Sequence, residues 1–136
     1  MKNLIYIVTI LSLLIFSCGT PKKVVAVKEE PVRIANDSLE YEIIIMDIGF
    51  NNYLATAKPM SYYSLNTLET KNRVYVSEWN TRARNPSRFD TSSIYENIID
   101  YQPHISYGLE VNYKLYQYFQ FAQKKYKMRL GNFRID

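Results

Sequence analysis

The feature that most constrains this fold is a stripe of apolar residues at helical spacing near the carboxyl end of the chain. Its members are Val111, Leu115, Tyr118, Phe119, Ala122, Tyr126 and Leu130. Steps of three and four residues place such side chains on one face of an α-helix. The range 124–129 is rich in Lys and Arg, which suits the negative end of a helix dipole, and Gly131 is a candidate left-handed cap. The pattern predicts a long helix from about Tyr107 to Leu130.

A second apolar run, Tyr41 to Ile48, has a continuous branched-aliphatic centre and is followed by Gly49. Such a run is typical of a strand that is buried on both faces, and a strand of this kind needs neighbours. The next residues, Phe50 to Ala57, predict a short helix. It should stop before Pro59, because the residue before a proline disfavours the α region.

The range Ser64 to Arg84 has two readings. Its apolar residues recur at three-, four- and seven-residue steps, and Glu69 with Arg73 and Glu78 with Arg82 have the i,i+4 spacing of helical ion pairs. This pattern favours a helix. The stretch from Arg73 to Trp79 is β-branched and aromatic at its centre, so a strand there is the alternative.

After a polar loop at 85–93, the stretch Ile94 to Tyr101 predicts a second strand and the natural partner of the first. The predicted class is therefore α+β, with a small sheet packed by helices and the order β-α-α-β-α. Two strands make a marginal sheet, so a third strand is expected. The candidates are 73–79, the apolar patch Val24 to Val27, or a strand from a second molecule.

The amino terminus carries one cation, Lys2, and then an apolar run from Leu4 to Phe16. A membrane-spanning helix needs about 20 residues, so this shorter run predicts the core of a signal peptide. Ser17 precedes the single cysteine, Cys18, as in bacterial lipoprotein signals, although Phe16 is bulkier than usual there. The alternatives are an uncleaved anchor helix and an ordinary secretory peptide that leaves a free thiol.

The lone cysteine supports lipidation, because it cannot form an internal disulfide and an exported protein rarely leaves a thiol unexplained. The predicted organisation is a signal peptide at 1–17, a lipidated flexible tether at 18–38, one globular domain at 39–130 and a tail at 131–136. The tether assignment depends on its charge and its prolines, Pro21 and Pro31, which disfavour a packed core.

Composition excludes some classes of function. Without the signal, sixteen Lys and Arg residues face thirteen Asp and Glu residues, a net charge of +3 that is too small to indicate nucleic-acid binding. One histidine and a lipidated cysteine leave no credible metal site, and no motif for a cofactor is present. We predict neither a metal nor a cofactor.

Tyrosine is the unusual component, with thirteen in the chain. Tyrosine fills cores with a large ring, and it is also enriched at interfaces because its hydroxyl remains available. Tyr113 and Tyr116 lie off the main stripe of the last helix, so exposed rings and a binding face are expected there. Glu78, Asn80 and Arg82 surround Trp79 and are further candidate binding residues, although such an ion pair is more often structural.

Short motifs occur in a distinctive order along the chain. They are Glu42-Ile43-Ile44-Ile45, Gly49-Phe50, Tyr62-Tyr63-Ser64, Glu78-Trp79-Asn80, Asp100-Tyr101 and Glu110-Val111-Asn112-Tyr113. This order, over about residues 39–130, resembles a family of short lipoproteins of unknown function in Gram-negative bacteria. The resemblance implies export and lipidation, and it implies no activity.

The leading hypothesis is a non-enzymatic protein, anchored by acyl groups on Cys18, whose tyrosine-rich surface binds an envelope protein or peptidoglycan. No acidic residue follows Cys18 closely, which favours the periplasmic face of the outer membrane. The alternative is a small envelope hydrolase that uses the carboxylates of Glu78 and Asp100 with His104, the only histidine.

Overall fold

The computed structural model describes residues 31–136, which form a two-stranded sheet packed by three helices. The strands are β1 (Val32–Asn36) and β2 (Tyr41–Ile45), and the helices are α1 (Phe50–Thr56), α2 (Leu65–Ala83) and α3 (Gly108–Lys125). Single 3-10 turns lie at Asp37–Leu39 and Met60–Tyr62. The predicted α+β class with a long C-terminal helix is confirmed. None of the helices in this part of the chain is long and apolar enough to cross a bilayer.

The predicted element order is wrong, because the observed order is β-β-α-α-α. The stretch 94–101 is not a strand. The partner of β2 is β1, whose residues the sequence analysis assigned to the tether. The two strands pair antiparallel, with Val32 opposite Ile45 and Ile34 opposite Ile43. Val32 and Ile34 are buried in the core on either side of the exposed Arg33, so this short run behaves as a one-sided strand despite the charged sequence before it.

The prediction that β2 is buried on both faces is also wrong. Ile45 is buried, whereas Ile44 is 57% exposed. With one neighbouring strand and helices on one side, the sheet has an uncovered face. Of the third-strand candidates, 73–79 is excluded because it lies in α2. The Val24 patch lies outside the described residues, and a strand from a second molecule stays a prediction.

Helix α2 confirms the helical reading of 64–84. Ser64 caps its amino terminus by accepting a hydrogen bond from the Thr67 amide at 3.3 Å. Leu68, Tyr75, Val76 and Trp79 form the buried face of this helix. That face packs on α3, and together the two helices build most of the core.

The predictions for α1 and α3 differ in outcome. Helix α1 confirms the predicted short helix to within one residue. Helix α3 ends at Lys125, earlier than predicted, because the chain turns through a left-handed residue at Lys127 (φ 50°). Leu130 returns to the core, where its amide donates to Gln123 Oε1 at 2.8 Å. Gly131 has φ +68° but lies in the following turn, so its prediction as the helix cap is wrong.

Candidate functional site

One concave feature of the described chain is a cleft of about 340 Å³ between two segments. One wall is formed by residues 43–48, at the end of β2 and just beyond it, and the other by residues from the irregular stretch 93–99. Trp79 from α2 and Tyr118 from α3 also line the cleft, and both rings are buried. The cleft is therefore a groove with an apolar rim and some polar groups, and its base belongs to the core of the domain.

The first wall carries an apolar rim, which we define as Ile44, Met46 and Ile48. These side chains are 57%, 79% and 78% exposed, and all three line the cleft. They occur at every second position, so the alternation of β2 continues past the end of its pairing with β1. Large apolar side chains scattered singly on a surface are ordinary, whereas a contiguous group beside a groove indicates a contact surface.

A polar cluster holds this wall against the end of α3. Lys125 forms an ion pair with Asp47, and its Nζ also donates to the main-chain oxygen of Ile48 at 2.9 Å. The Tyr126 hydroxyl donates to Asp47 Oδ2 at 2.8 Å. Burial raises the pKa of Tyr126, and the bond to the Asp47 carboxylate raises it further. The cluster is internally satisfied, so its role here is to position residues 47 and 48.

The second wall is held by side chains of α2. The side-chain amide of Asn80 makes two hydrogen bonds to Ile99: its Nδ2 donates to the Ile99 oxygen and its Oδ1 accepts from the Ile99 amide, each at 2.8 Å. Trp79 Nε1 donates to the main-chain oxygen of Asn97 at 2.9 Å. These bonds satisfy three backbone groups of this stretch, the Asn97 oxygen and the Ile99 amide and oxygen, which a β-ladder would otherwise satisfy.

The predicted binding residues of α2 lie at the edge of this architecture. Asn80 supports the second wall, as described above. Arg82 Nη1 donates to the Tyr95 hydroxyl at 2.9 Å, and Arg82 also donates to the main-chain oxygen of Arg129. Glu78 is exposed and lies 3.7 Å from the Arg82 guanidinium. The structure thus brings Glu78 and Arg82 together, and it shows Arg82 joining α2 to the turns before and after α3.

The predicted tyrosine face is not present on α3. Tyr116, expected to be exposed, is completely buried, and its hydroxyl donates to Asp136 Oδ2 at 2.7 Å. Burial raises the pKa of Tyr116, with a further contribution from Asp136. Tyr113 is half-buried and donates to the main-chain oxygen of Lys58 at 2.7 Å. Tyr113 and Tyr116 both contact the ring of Tyr63, so these tyrosines fill the core and use their hydroxyls for internal bonds.

The residues of the alternative catalytic hypothesis do not line the cleft. Glu78, Asp100 and His104 are all exposed, and His104 lies in the loop before α3. Asp100 accepts a hydrogen bond from Gln102 Nε2 at 2.7 Å. Within residues 31–136, no group of three or more His, Cys, Asp or Glu side chains is arranged to hold a metal ion.

The cleft was not predicted, because the sequence pattern indicated strands in both of its walls. The signal was nevertheless present: the run from Ile43 to Ile48 is too apolar for a strand with a wet face. The described residues leave that face open, so part of this apolar excess lies at the surface.

Comparison with known proteins gives one match. A family model described as "Family of unknown function (DUF6146)" matches residues 5–136. No curated protein and no solved structure matches the chain.

Proposed function

The chain belongs to DUF6146, a family of unknown function, and we propose that this member is a lipid-anchored protein of the cell envelope with a non-enzymatic binding role. In this proposal Cys18 carries the acyl groups and the cleft is the binding site. The anchor places the domain on the periplasmic face of the outer membrane.

The observation that carries the proposal is where the chain joins the domain. β1 begins at Val32, which lies opposite Ile45, and Ile45 lines the cleft. The tether from Cys18 therefore reaches the domain beside the apolar rim. A short lipidated tether that ends at an open apolar surface supports a protein that holds this surface close to a membrane.

The placement of the polar residues supports binding over hydrolysis. A hydrolase needs its acid, base and reacting bond in one concave site. Glu78, Asp100 and His104 all lie outside the cleft, while the cleft itself is lined mainly by Ile, Met and aromatic side chains. No observation on the described residues favours the hydrolase alternative.

The lining of the cleft also distinguishes between peptidoglycan and an apolar ligand. Peptidoglycan presents hydroxylated sugars and charged peptides, which would require polar side chains directed into the groove. The polar groups of the first wall and the adjoining end of α3, Asp47, Lys125 and Tyr126, are already bonded to one another. The other wall contributes the polar residues Ser93, Glu96 and Asn97. The apolar rim supports an apolar ligand instead.

The proposal is tested by labelling cells with an alkyne fatty acid and following the protein. Cys18→Ala should abolish the label and release the protein from its normal membrane fraction, because the thiol is the acylation site. Ser17→Ala is the matched control and should keep the label, since position 17 requires only a small residue. Labelling of the Cys18→Ala protein at the level of the unsubstituted protein would refute the anchor.

A further inference from the structure

We propose that the apolar rim of the cleft, together with the lysines at the end of α3, is a docking surface for an anionic phospholipid bilayer. This inference rests on the proposed function and names its ligand: the surface of the membrane that holds the acyl anchor. The domain would then lie on the bilayer in one orientation.

The first support is the chemistry of the rim. Ile44, Met46 and Ile48 are more than half exposed and lie together at one end of the domain. Proteins that lie in the membrane interface bury such side chains about 5 to 10 Å deep, at the level of the headgroups and upper acyl chains. Three apolar side chains that the described residues leave exposed therefore match what an interface accepts.

The second support is the charge beside the rim. Lys124 and Lys125 end α3, Lys127 follows it, and all three are exposed. Lys125 lines the cleft together with the rim but is paired with Asp47. Its neighbours in the chain, Lys124, whose Nζ lies 5.3 Å from the Tyr53 ring centroid, and Lys127, have no such carboxylate pair among the described residues. The opposing carboxylate on this face is Glu96, on the other wall of the cleft. Cations next to exposed apolar side chains attract anionic headgroups.

The third support is the position of the anchor. The tether enters at Val32, at the same end of the domain as the rim, because Val32 lies opposite Ile45. The loop before α3, which contains Ser106, lies at the other end of that helix. At 1.5 Å per residue, the helix separates the two ends by about 26 Å. The acyl groups thus raise the local concentration of lipid at the rim.

The tether alone does not force the contact. Residues 19–31 can extend to about 45 Å, so an anchored domain is also free to stay in water. A contact between the rim and lipid therefore requires its own attraction, and the contact can be measured separately from anchoring.

The experiment uses the mature lipidated protein, purified from membranes and placed in vesicles. Met46→Cys carries an environment-sensitive fluorophore, and the vesicles contain phosphatidylcholine, phosphatidylglycerol and a lipid with a nitroxide on its acyl chain. The acylated Cys18 has no free thiol, so labelling is specific. Ser106→Cys is the matched control, since it is exposed and lies at the far end of α3. Circular dichroism verifies that both labelled proteins keep the fold.

We expect several-fold stronger nitroxide quenching at position 46 than at position 106. The difference should decrease when phosphatidylglycerol is omitted, and also in the double variant Lys124→Gln, Lys127→Gln. Equal quenching at the two positions would overturn the inference, and quenching unaffected by the anionic lipid would overturn the assignment of an anionic surface. A blue-shifted fluorophore at 46 without quenching would also overturn it, because a second copy or another protein would then cover the rim.

Acylation is measured on the same sample by mass spectrometry of the N-terminal peptide. An unacylated Cys18 would refute the proposed function. An acylated protein whose rim stays in water would refute only the docking surface. The two failures are therefore distinguishable.

Discussion

Asn72 of α2 and Asn112 of α3 are both completely buried and bonded to each other. The Nδ2 of Asn72 donates to the main-chain oxygen of Asn112 at 2.9 Å and to its Oδ1 at 3.1 Å. Asn112 also donates to the Gly108 oxygen at 2.9 Å and accepts from the Tyr101 hydroxyl at 2.8 Å. One side chain thus joins the two main helices to the loop between them. A buried network of this kind stabilises most when every member is satisfied, and within the described residues the Oδ1 of Asn72 has no hydrogen-bond partner.

Replacing the centre of this network should destabilise the fold. In Asn112→Ala, the Tyr101 hydroxyl loses its acceptor and the Nδ2 of Asn72 loses one of its two acceptors inside the core. Because each buried polar group left unpaired costs about 1 to 3 kcal/mol, we expect a loss of about 2 to 4 kcal/mol in the free energy of unfolding. Urea denaturation measures it. Glu110→Ala, an exposed change on the same helix, should cost less than about 1 kcal/mol, and equal losses in the two variants would contradict the prediction.

The second wall of the cleft should open more often when the hydrogen bonds between Asn80 and Ile99 are removed. Asn80→Ala deletes both hydrogen bonds to Ile99 while leaving α2 with a good helix former. A lost part-buried bond of about 1 to 3 kcal/mol corresponds to an increase in local opening of about fivefold to 150-fold. Hydrogen exchange of the Ile99 amide should accelerate accordingly. Ser77→Ala, on the exposed side of α2, is the control, and unchanged exchange in the Asn80 variant would show that the wall is held by other contacts.

Trp79 contributes mainly through its ring. It lies 4.9 Å from the Tyr95 ring and 5.7 Å from the Tyr118 ring, centroid to centroid, and it is almost completely buried. Trp79→Ala should cost about 3 to 5 kcal/mol because it leaves a large cavity. Trp79→Phe keeps much of the packing but loses the bond to Asn97, so it should cost less. Thermal melting close to that of the unsubstituted protein in the Ala variant would show that the ring does not support the core.

Alkaline pH between about 10 and 12 should destabilise the domain through its buried tyrosines. Burial raises the pKa of Tyr101 to about 12, with a smaller contribution from Glu69, and burial with the nearby Tyr63 raises that of Tyr53 to about 12. The unfolded chain releases these protons near pH 10, so in this window the folded state binds more protons than the unfolded state. The contribution to stability is therefore complete below pH 10 and is lost as the pH rises towards 12.

The measurement is urea denaturation at a series of pH values. Tyr53→Phe removes one titrating hydroxyl, so its stability should fall less steeply between pH 10 and 12 than that of the unsubstituted protein. An unchanged slope would show that the Tyr53 hydroxyl titrates alike in the folded and unfolded chains.

The helices were predictable because their signals are local. A repeat of three and four residues is a property of neighbouring positions, and it located α3, α2 and the short α1. The end of α3 was not predictable, since the apolar repeat continues to Leu130 although the chain leaves the helix at Lys125. Leu130 is buried in the same core although it lies in a turn. The apolar repeat alone cannot distinguish a helical backbone from a turn at this position.

The strands were harder because their stability depends on distant partners. Ile94 to Tyr101 has strand-like residues, but Asn80 and Trp79 satisfy its backbone through side chains. β1 was assigned to a tether because charge and proline surround it, yet pairing with β2 and burial of Ile34 stabilise it as a strand.

The candidate site was only partly visible in the sequence. The lipidation of Cys18 stays a prediction from local residues, since that position lies outside the described part of the chain. The apolar rim was visible as an unusually apolar strand, but its exposure was not. Tyr116 shows what the helical pattern could not predict. Its position off the main stripe indicated exposure, but the ring packs against Tyr63 and Tyr75, its hydroxyl bonds to Asp136, and the side chain is buried.

The sequence by itself determined the class of fold, the three helices and the expectation of an anchor, because each depends on residues close together in the chain. Only the tertiary structure decided which segment pairs with β2, where the tyrosines lie and that a cleft opens beside the end of the sheet. Those outcomes depend on burial and hydrogen bonds between residues far apart in sequence, and these interactions form only when the chain folds.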